Sequence, residues 1–351
     1  MKRHNRLFIS ALVAIGSLLS SISLAYEAGF KSLAVAPEHR SKVVNYHLWY
    51  PAYKDGKNEV IGENGIFYGQ TAGLDATHAA GRFPLLLISH GGGGNAGQYG
   101  WLVKPLVKAG MVVAIPNHPG STTGDSSPAG VIKLWNRPQD ISAIIDQLQQ
   151  HNNLKNHIDF SRISALGFSA GGYAVLTLAG GSVDQQTLKR YCDQPDDDMT
   201  VNFCTFLKRG NIDLHKINLA PVELSYTDRR INKIVAVDPG LANAFDKRSL
   251  ERVKIPSLLI NLGESKAIPP VVFAEPIHDA LQNSEYTTLP DANHFTFLPN
   301  CKPNAKEILA KEGEPDPLCD LPKRAKRSRP RVHQELINLI KDYLIEKQSL
   351  D

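Results

Sequence analysis

The sequence predicts an α/β fold, a mostly parallel central sheet with helices on both faces and a cysteine-bearing cap insert. Three observations lead there. Short, wholly apolar runs of strand length recur along the chain, each is stopped by Gly, Asn or Pro, and segments with helical spacing of apolar residues lie between them. A strand that is apolar on both sides of its pleat has two faces to bury, which is the condition of a parallel sheet sandwiched between helices. With 351 residues, 42% hydrophobic and 21% charged, the composition is globular and excludes a disordered chain. The length could hold two domains, but α/β folds commonly pass 250 residues as one.

At the N-terminus Lys2, Arg3 and Arg6 precede an apolar run from Leu7 to Leu19, and a Ser-rich stretch follows that ends in Ser23-Leu24-Ala25. This is the pattern of a secretory signal cut after Ala25, which leaves residues 26–351 as the folded chain. An uncleaved membrane anchor is the competing reading, but Ser10, Gly16, Ser17, Ser20, Ser21 and Ser23 dilute the run. No Cys lies near the cut, so nothing points to a lipid anchor. Loss of the three basic residues takes the formal charge from +4 to +1. The basicity of the whole chain therefore gives no reason to expect nucleic acid as a partner. The expected location is the periplasm or the medium.

In chain order, Val43–Tyr50 alternates and is rich in β-formers, so it reads as a strand ending at Pro51. Phe83–Ser89 and Met111–Pro116 are apolar strands, with helical spacing between them over Tyr99–Ala109. Pro138–His151 carries Ile141, Ile144, Ile145 and Leu148 on one face, an amphipathic helix. Ile163–Gly167 is a third buried strand and Gly171–Ala179 the helix after it. Ile231–Val237 and Ser257–Leu262 read as further strands, and Leu336–Ile345 as a closing helix.

Two stretches break the alternation. Residues 182–230 are polar, with Pro195, an Asp196-Asp197-Asp198 run, Cys192 and Cys204, and read as a cap inserted over the sheet edge. Residues 300–330 form a second irregular stretch with Cys301 and Cys319. An even cysteine count in an oxidising compartment suggests two disulfides. Pairing neighbours would close two short loops and stabilise each segment by roughly 3 kcal/mol, although four cysteines allow three pairings. A zinc site is the competing use, but no C-x-x-C pair is present. Lys323–Arg331 holds six basic residues in nine positions and reads as a solvated loop before the last helix. Contact with an anionic membrane surface is its other reading.

The chemistry concentrates at Gly167-Phe168-Ser169-Ala170-Gly171, a G-x-S-x-G match that follows an apolar strand and opens a helix. In that setting the turn is too sharp for flanking side chains, and the serine hydroxyl stands above the sheet at a helix N-terminus, as in the α/β-hydrolase fold. A glycine-rich turn with an incidental serine is the bland alternative. Acyl transfer also needs donors for an oxyanion, and the N–H of Ala170 is one candidate. The second is expected in the glycine run Ser89–Gly94, at Gly92 or its neighbour Gly91. A phosphate cradle there would need the Lys and Ser/Thr of a P-loop, which are missing. The base should follow the serine, and His294 in the loop Leu289–Phe295 is more available than His215, His278 or His333. His90 and His118 precede the serine and are expected to line or support the pocket with Gly91. For the acid, Asp238 at the end of a strand competes with Glu264 one strand later. Asp291 is too close in sequence to His294 to orient it, and Asp238 could instead be a helix N-cap.

With these residues in view, the chain resembles the bacterial predicted dienelactone hydrolases related to platelet-activating-factor acetylhydrolase. The matching pieces are Leu48–Pro51 (LWYP), Ser89–Gly94, Asn117–Gly120 (NHPG), Leu134–Asp140 (LWNRPQD), Gly167–Gly172 (GFSAGG) and Asn293–Phe295, together with a cysteine-bearing insert after the nucleophile helix. The resemblance implies an acid on the strand ending in Asp238. True dienelactone hydrolases use a cysteine nucleophile where this chain has Ser169, a departure that favours carboxylic esters over dienelactone. Lys266 stands at the more common acid position of the fold. The expectation is an exported serine hydrolase acting on short-chain or lipid-like acyl esters through an acyl-enzyme, with no metal or cofactor. Acyltransferase or peptidase chemistry on the same residues, and a non-catalytic exported binding protein, are the alternatives.

Overall fold

A computed structural model describes residues 26–194, 203–313 and 317–345. Residues 1–25, expected to be a secretory signal, lie outside the described residues, as do Pro195 and the Asp196–Asp198 run. The chain opens with β1 (Glu27–Val35), β2 (Val44–Ala52), β3 (Lys57–Ile61), β4 (Gln70–Leu74) and β5 (Phe83–Ser89). Helix α1 (Gly100–Lys108) leads to β6 (Val112–Pro116), the short hairpin β7 (Ser121–Thr122) and β8 (Asp125–Ser126), α2 (Pro128–Val131) and α3 (Asn136–Gln150). Next come β9 (Ile158–Phe168), α4 (Ala170–Leu178), α5 (Gln185–Asp193), α6 (Phe203–Arg209) and β10 (Ile231–Val237). The last part holds α7 (Lys247–Glu251), β11 (Ser257–Leu262), α8 (Glu275–Ala280), β12 (Ser284–Leu289), α9 (Ala305–Lys311) and α10 (Arg329–Leu344).

Ten strands form one sheet in the order β12-β11-β10-β9-β5-β6-β2-β1-β4-β3. From β12 to β6 all neighbours are parallel, and β2 then joins β6 antiparallel. Each central strand divides its side chains between two cores. Leu85 and Leu87 of β5, Ala165 of β9 and Ala236 of β10 face the layer that holds Ile141, Ile144 and Leu148 of α3 with Tyr173 and Leu176 of α4. Leu86 and Ile88, Leu166 and Phe168, and Val235 and Val237 face the opposite layer, with Leu102 and Leu106 of α1 and Leu336 and Ile340 of α10. Burial on both faces is why these strands are apolar throughout. The order reverses at β5, with β6 on one side and β9 on the other. A crevice outside the carboxyl ends of the strands at such a switch point is where sheets of this kind bind ligands.

Several expectations change. Strand β2 continues through Pro51 to Ala52; its β6 partner reaches only Trp49, so Pro51 interrupts no ladder on that side. The stretch 300–330 is not wholly irregular, since α9 lies inside it and α10 begins at Arg329 with Pro330 in its first turn. The insert carries α5 and α6, joined by the Cys192–Cys204 disulfide, with Leu188 and Leu207 packed into the α3–α4 layer. Cys301 pairs with Cys319, so all four cysteines are disulfide-bonded and none is a zinc ligand. The basic run is only partly solvated. Arg329 is buried and donates to the carbonyls of Pro299 (2.9 Å) and Leu318 (2.7 Å), while Arg327 bonds Asp291, Glu335 and the Pro290 carbonyl. Lys323, Arg324 and Lys326 are exposed.

His333 on α10 is buried, its ring stacked 3.8 Å from that of Trp101 and its Nε2–H donated to the Thr296 carbonyl at 2.8 Å. Burial lowers its pKa to about 4. A histidine with a folded pKa below its unfolded value of about 6.5 is protonated more readily in the unfolded chain, so it removes stability as pH falls from that value toward the folded pKa. Between pH 7 and 5 this one residue should cost about 2 kcal/mol. Urea unfolding at the two pH values is expected to show a pH difference smaller by about that amount in His333→Gln. An unchanged difference would mean that His333 does not titrate in this way.

Candidate active site

Strand β9 ends at Phe168, and the chain reverses into α4 through Ser169, whose φ of 54° and ψ of −119° are strained for a residue with a side chain. The reversal requires glycines. A Cβ on Gly167 would sit 2.0 Å from the Gly171 carbonyl oxygen, and one on Gly171 would sit 1.9 Å from the Ser89 carbonyl oxygen. Hydrogen bonds hold the turn: Ser169 N–H donates to the Val237 carbonyl (3.0 Å), and the Ser169 carbonyl accepts from Gly240 (2.7 Å) and Gly172 (2.8 Å). The Ser169 side chain is half-buried at the carboxyl edge of the sheet. The N–H of Ala170, the first residue of α4, has no acceptor among the described residues.

The glycine run after β5 lies against this turn. The Cβ position of Gly91 is 3.5 Å from Ser169 Cβ and 3.2 Å from the Phe168 ring. Gly91 N–H donates to the Tyr99 hydroxyl (3.3 Å), Gly93 N–H to the Ser121 carbonyl (3.1 Å) and Gly94 N–H to the Gly91 carbonyl (3.2 Å). Gly92 is exposed, and its N–H has no acceptor among the described residues. Of the two glycines nominated for the oxyanion, only Gly92 thus keeps its amide free. His90 and His118, expected to line or support the pocket, are wholly buried and lie behind the loop, and Gly91 is buried as well.

Asp238 follows β10 at φ 43° and is buried. It caps no helix, because its carboxylate is fully engaged elsewhere. Oδ2 accepts from His294 Nδ1–H at 2.9 Å, and Oδ1 accepts from Leu262 N–H (2.9 Å) and Asn261 Nδ2 (2.8 Å). Asn261 is held in turn by Ala274 N–H (2.8 Å) and the Val272 carbonyl (2.7 Å). His294 opens a short 3₁₀ turn, His294–Phe297, capped by Asn293, and its ring lies 4.6 Å from that of Phe168. No hydrogen bond joins His294 to Ser169, and its Nε2 has no partner among the described residues; such contacts often tighten only with substrate bound. Glu264 is exposed at the start of a 3₁₀ turn and makes no hydrogen bond to His294, whose Nδ1 is taken by Asp238, and Asp291 is paired with Arg327 at 3.1 Å. Among the described residues, no cluster of three or more His, Cys, Asp or Glu could hold a metal.

Sequence reasoning overlooked Asn261, although an amide inside the apolar run Leu258–Leu262 was the available signal. It also overlooked Arg137 and Asp140, charged residues on the buried face of α3.

The arrangement belongs to the α/β-hydrolase fold. The family model described as alpha/beta hydrolase fold matches residues 84–189, which run from β5 through the elbow into α5. Among solved structures, the chain is similar to a ferulic acid esterase from Streptomyces cinnamoneus at 17% identity and a TM-score of 0.60, covering 92% of this chain and 90% of that one. No curated protein matches the sequence.

The His294–Asp238 pair gives a direct test that needs no substrate. A proton NMR spectrum is expected to contain a strongly deshielded Nδ1 proton from His294, lost or shifted in Asp238→Ala and unchanged in Glu264→Gln. A signal that responded to Glu264 instead would reassign the carboxylate.

Proposed function

We propose that this protein is an exported serine hydrolase of carboxylic esters. The observation that carries the reading is the strained backbone of Ser169. A sparsely populated positive-φ backbone at a serine costs on the order of 1–3 kcal/mol and persists where surrounding contacts hold it, most often at functional sites. Here the serine is half-buried at the carboxyl edge of the sheet, the amide N–H groups of Ala170 and Gly92 are unpaired among the described residues, and a buried His–Asp pair stands at the same edge.

In this mechanism His294 Nε2 takes the Ser169 proton as Oγ attacks the ester carbonyl. The free N–H groups of Ala170 and Gly92 receive the oxyanion, each worth about 3–4 kcal/mol in the transition state. Asp238 holds His294 with Nδ1 protonated and stabilises the imidazolium. The alcohol leaves with that proton, and water attacks the acyl-enzyme with His294 again as base. The ferulic acid esterase named above supports ester chemistry. The resemblance to the acetylhydrolase-related group supports acyl esters of short or lipid-like chains. Export is supported by the signal pattern and by the two disulfides, which are compatible with an oxidising compartment.

The test compares the mature protein with Ser169→Ala on p-nitrophenyl esters of graded chain length, beside fluorophosphonate labelling. Ser169→Ala is expected to lower kcat by at least about 10⁴ and to abolish labelling while the fold is retained. A variant that kept most of its activity would overturn the assignment.

A further inference from the structure

Behind the glycine loop lies a second Ser–His–Asp array that no substrate reaches. Ser89 Oγ–H donates to His118 Nε2 at 2.9 Å and His118 Nδ1–H donates to Asp140 Oδ2 at 2.7 Å, with all three side chains buried. Asp140 also accepts from Arg40 (2.5 and 2.6 Å) and from His39 (2.8 Å). Burial first, and then the nearby Arg137, lower the His118 pKa to about 4, so its ring is neutral with one defined tautomer. Arg137 is buried too. Its Nη1 donates to the His90 carbonyl (2.5 Å) and Ser89 Oγ (3.4 Å), and its Nη2 to Ser121 Oγ (2.7 Å) and the Gly91 carbonyl (3.4 Å).

These bonds converge on one peptide unit. The Gly91 carbonyl accepts from His90 Nδ1–H (2.6 Å), Gly94 N–H (3.2 Å) and Arg137 Nη2 (3.4 Å). The proton sits on His90 Nδ1 because His90 Nε2 already accepts from His118 N–H at 3.2 Å. The other end of the same planar peptide is the unpaired Gly92 N–H. Fixing the oxygen of a planar peptide aims its N–H, and donors at the oxygen, one of them cationic, strengthen that N–H as a donor.

Resting on the esterase reading, we infer that Arg137 and His90, braced by the buried Ser89–His118–Asp140 array, are positioning residues that aim and polarise the Gly92 N–H toward the developing oxyanion. The ordinary alternative is a buried arginine that only holds the fold together. The two differ in how they treat the atom that carries the negative charge. A substrate in which sulfur replaces the carbonyl oxygen is a poor acceptor and gains little from an oxyanion donor.

The experiment measures kcat and KM on a p-nitrophenyl ester and on its thionoester for wild type, Arg137→Lys and the milder Ser121→Ala. Removing an oxyanion donor costs about 10²–10³ in kcat, and misaiming one should cost less. Arg137→Lys is expected to lower kcat on the ester by about 10- to 100-fold with KM nearly unchanged, and to leave the thionoester rate within about threefold. The preference for oxygen then falls about tenfold, and Ser121→Ala should move it the same way by about threefold. If Arg137→Lys does not fold, Ser121→Ala decides. Equal slowing of both substrates, or an unchanged ratio, overturns the inference while the esterase reading stands. A wild type that neither turns over ester nor labels at Ser169 overturns both.

Discussion

The first turn of α4 packs against the end of β5 so closely that the Cα of Gly171 touches the Ser89 carbonyl and leaves no room for a methyl group. Much of the site follows from that contact. It draws the helix onto the sheet, so the chain must reverse within one residue, and Ser169 takes a strained positive-φ conformation. The parallel pairing of β5 with β9, which sets Ser89 opposite Gly167, brings the two strand exits together, and so Gly91 borders Ser169 although 78 positions separate them in the chain. The strain at Ser169 is local. The hydrogen bonds from Gly240 and Gly172 to its carbonyl, and from its N–H to Val237, offset it.

The histidine and the acid hang on the other half of the sheet, and strand register carries them to the same edge. Val237 lies opposite Phe168 on one side and Ile260 on the other, and Leu262 lies opposite Leu289. Residues just beyond those pairs, Ser169, Asp238 and the His294 loop, therefore emerge together. That loop is braced from outside: Asn293 Nδ2 donates to the Asp320 carbonyl at 3.1 Å, next to the Cys301–Cys319 disulfide, while Arg327 and Arg329 bond the carbonyls of Pro290 and Pro299. Two residues of the basic run, Arg327 and Arg329, thus frame the histidine, and the other four are exposed.

The legible parts of the sequence were those under a constraint with few solutions. Strands β5, β6, β9, β10 and β11 are buried on both faces, so their apolar runs stood out. The elbow tolerates only glycine at its flanks, so Gly167 and Gly171 marked it. The strands at and near the β3 edge were harder to read. β3 is exposed along most of its length, and β1 alternates over only part of its own. Helix α9 has seven residues and too few turns to display a period. Asn261, Arg137 and Asp140 could be seen as polar residues on apolar faces, but their partners lie 11 to 101 positions away and only the fold brings them together. Resolving those pairings needs topology, which local pattern does not carry.

Two serines at this switch point have a histidine and an aspartate within reach, and their surroundings separate them. The Ser89 hydroxyl is wholly buried, its proton is committed to His118 and its oxygen receives Arg137, so no carbonyl carbon can approach. Ser169 is half-exposed, its hydroxyl makes no hydrogen bond among the described residues, and the N–H of Ala170 beside it is unpaired there as well. Residue type and spacing alone do not distinguish a nucleophile from a brace. What distinguishes them is which hydrogen-bonding capacity is left unsatisfied at the surface, and beside the buried array the free donor on the exposed side of the loop is the Gly92 N–H.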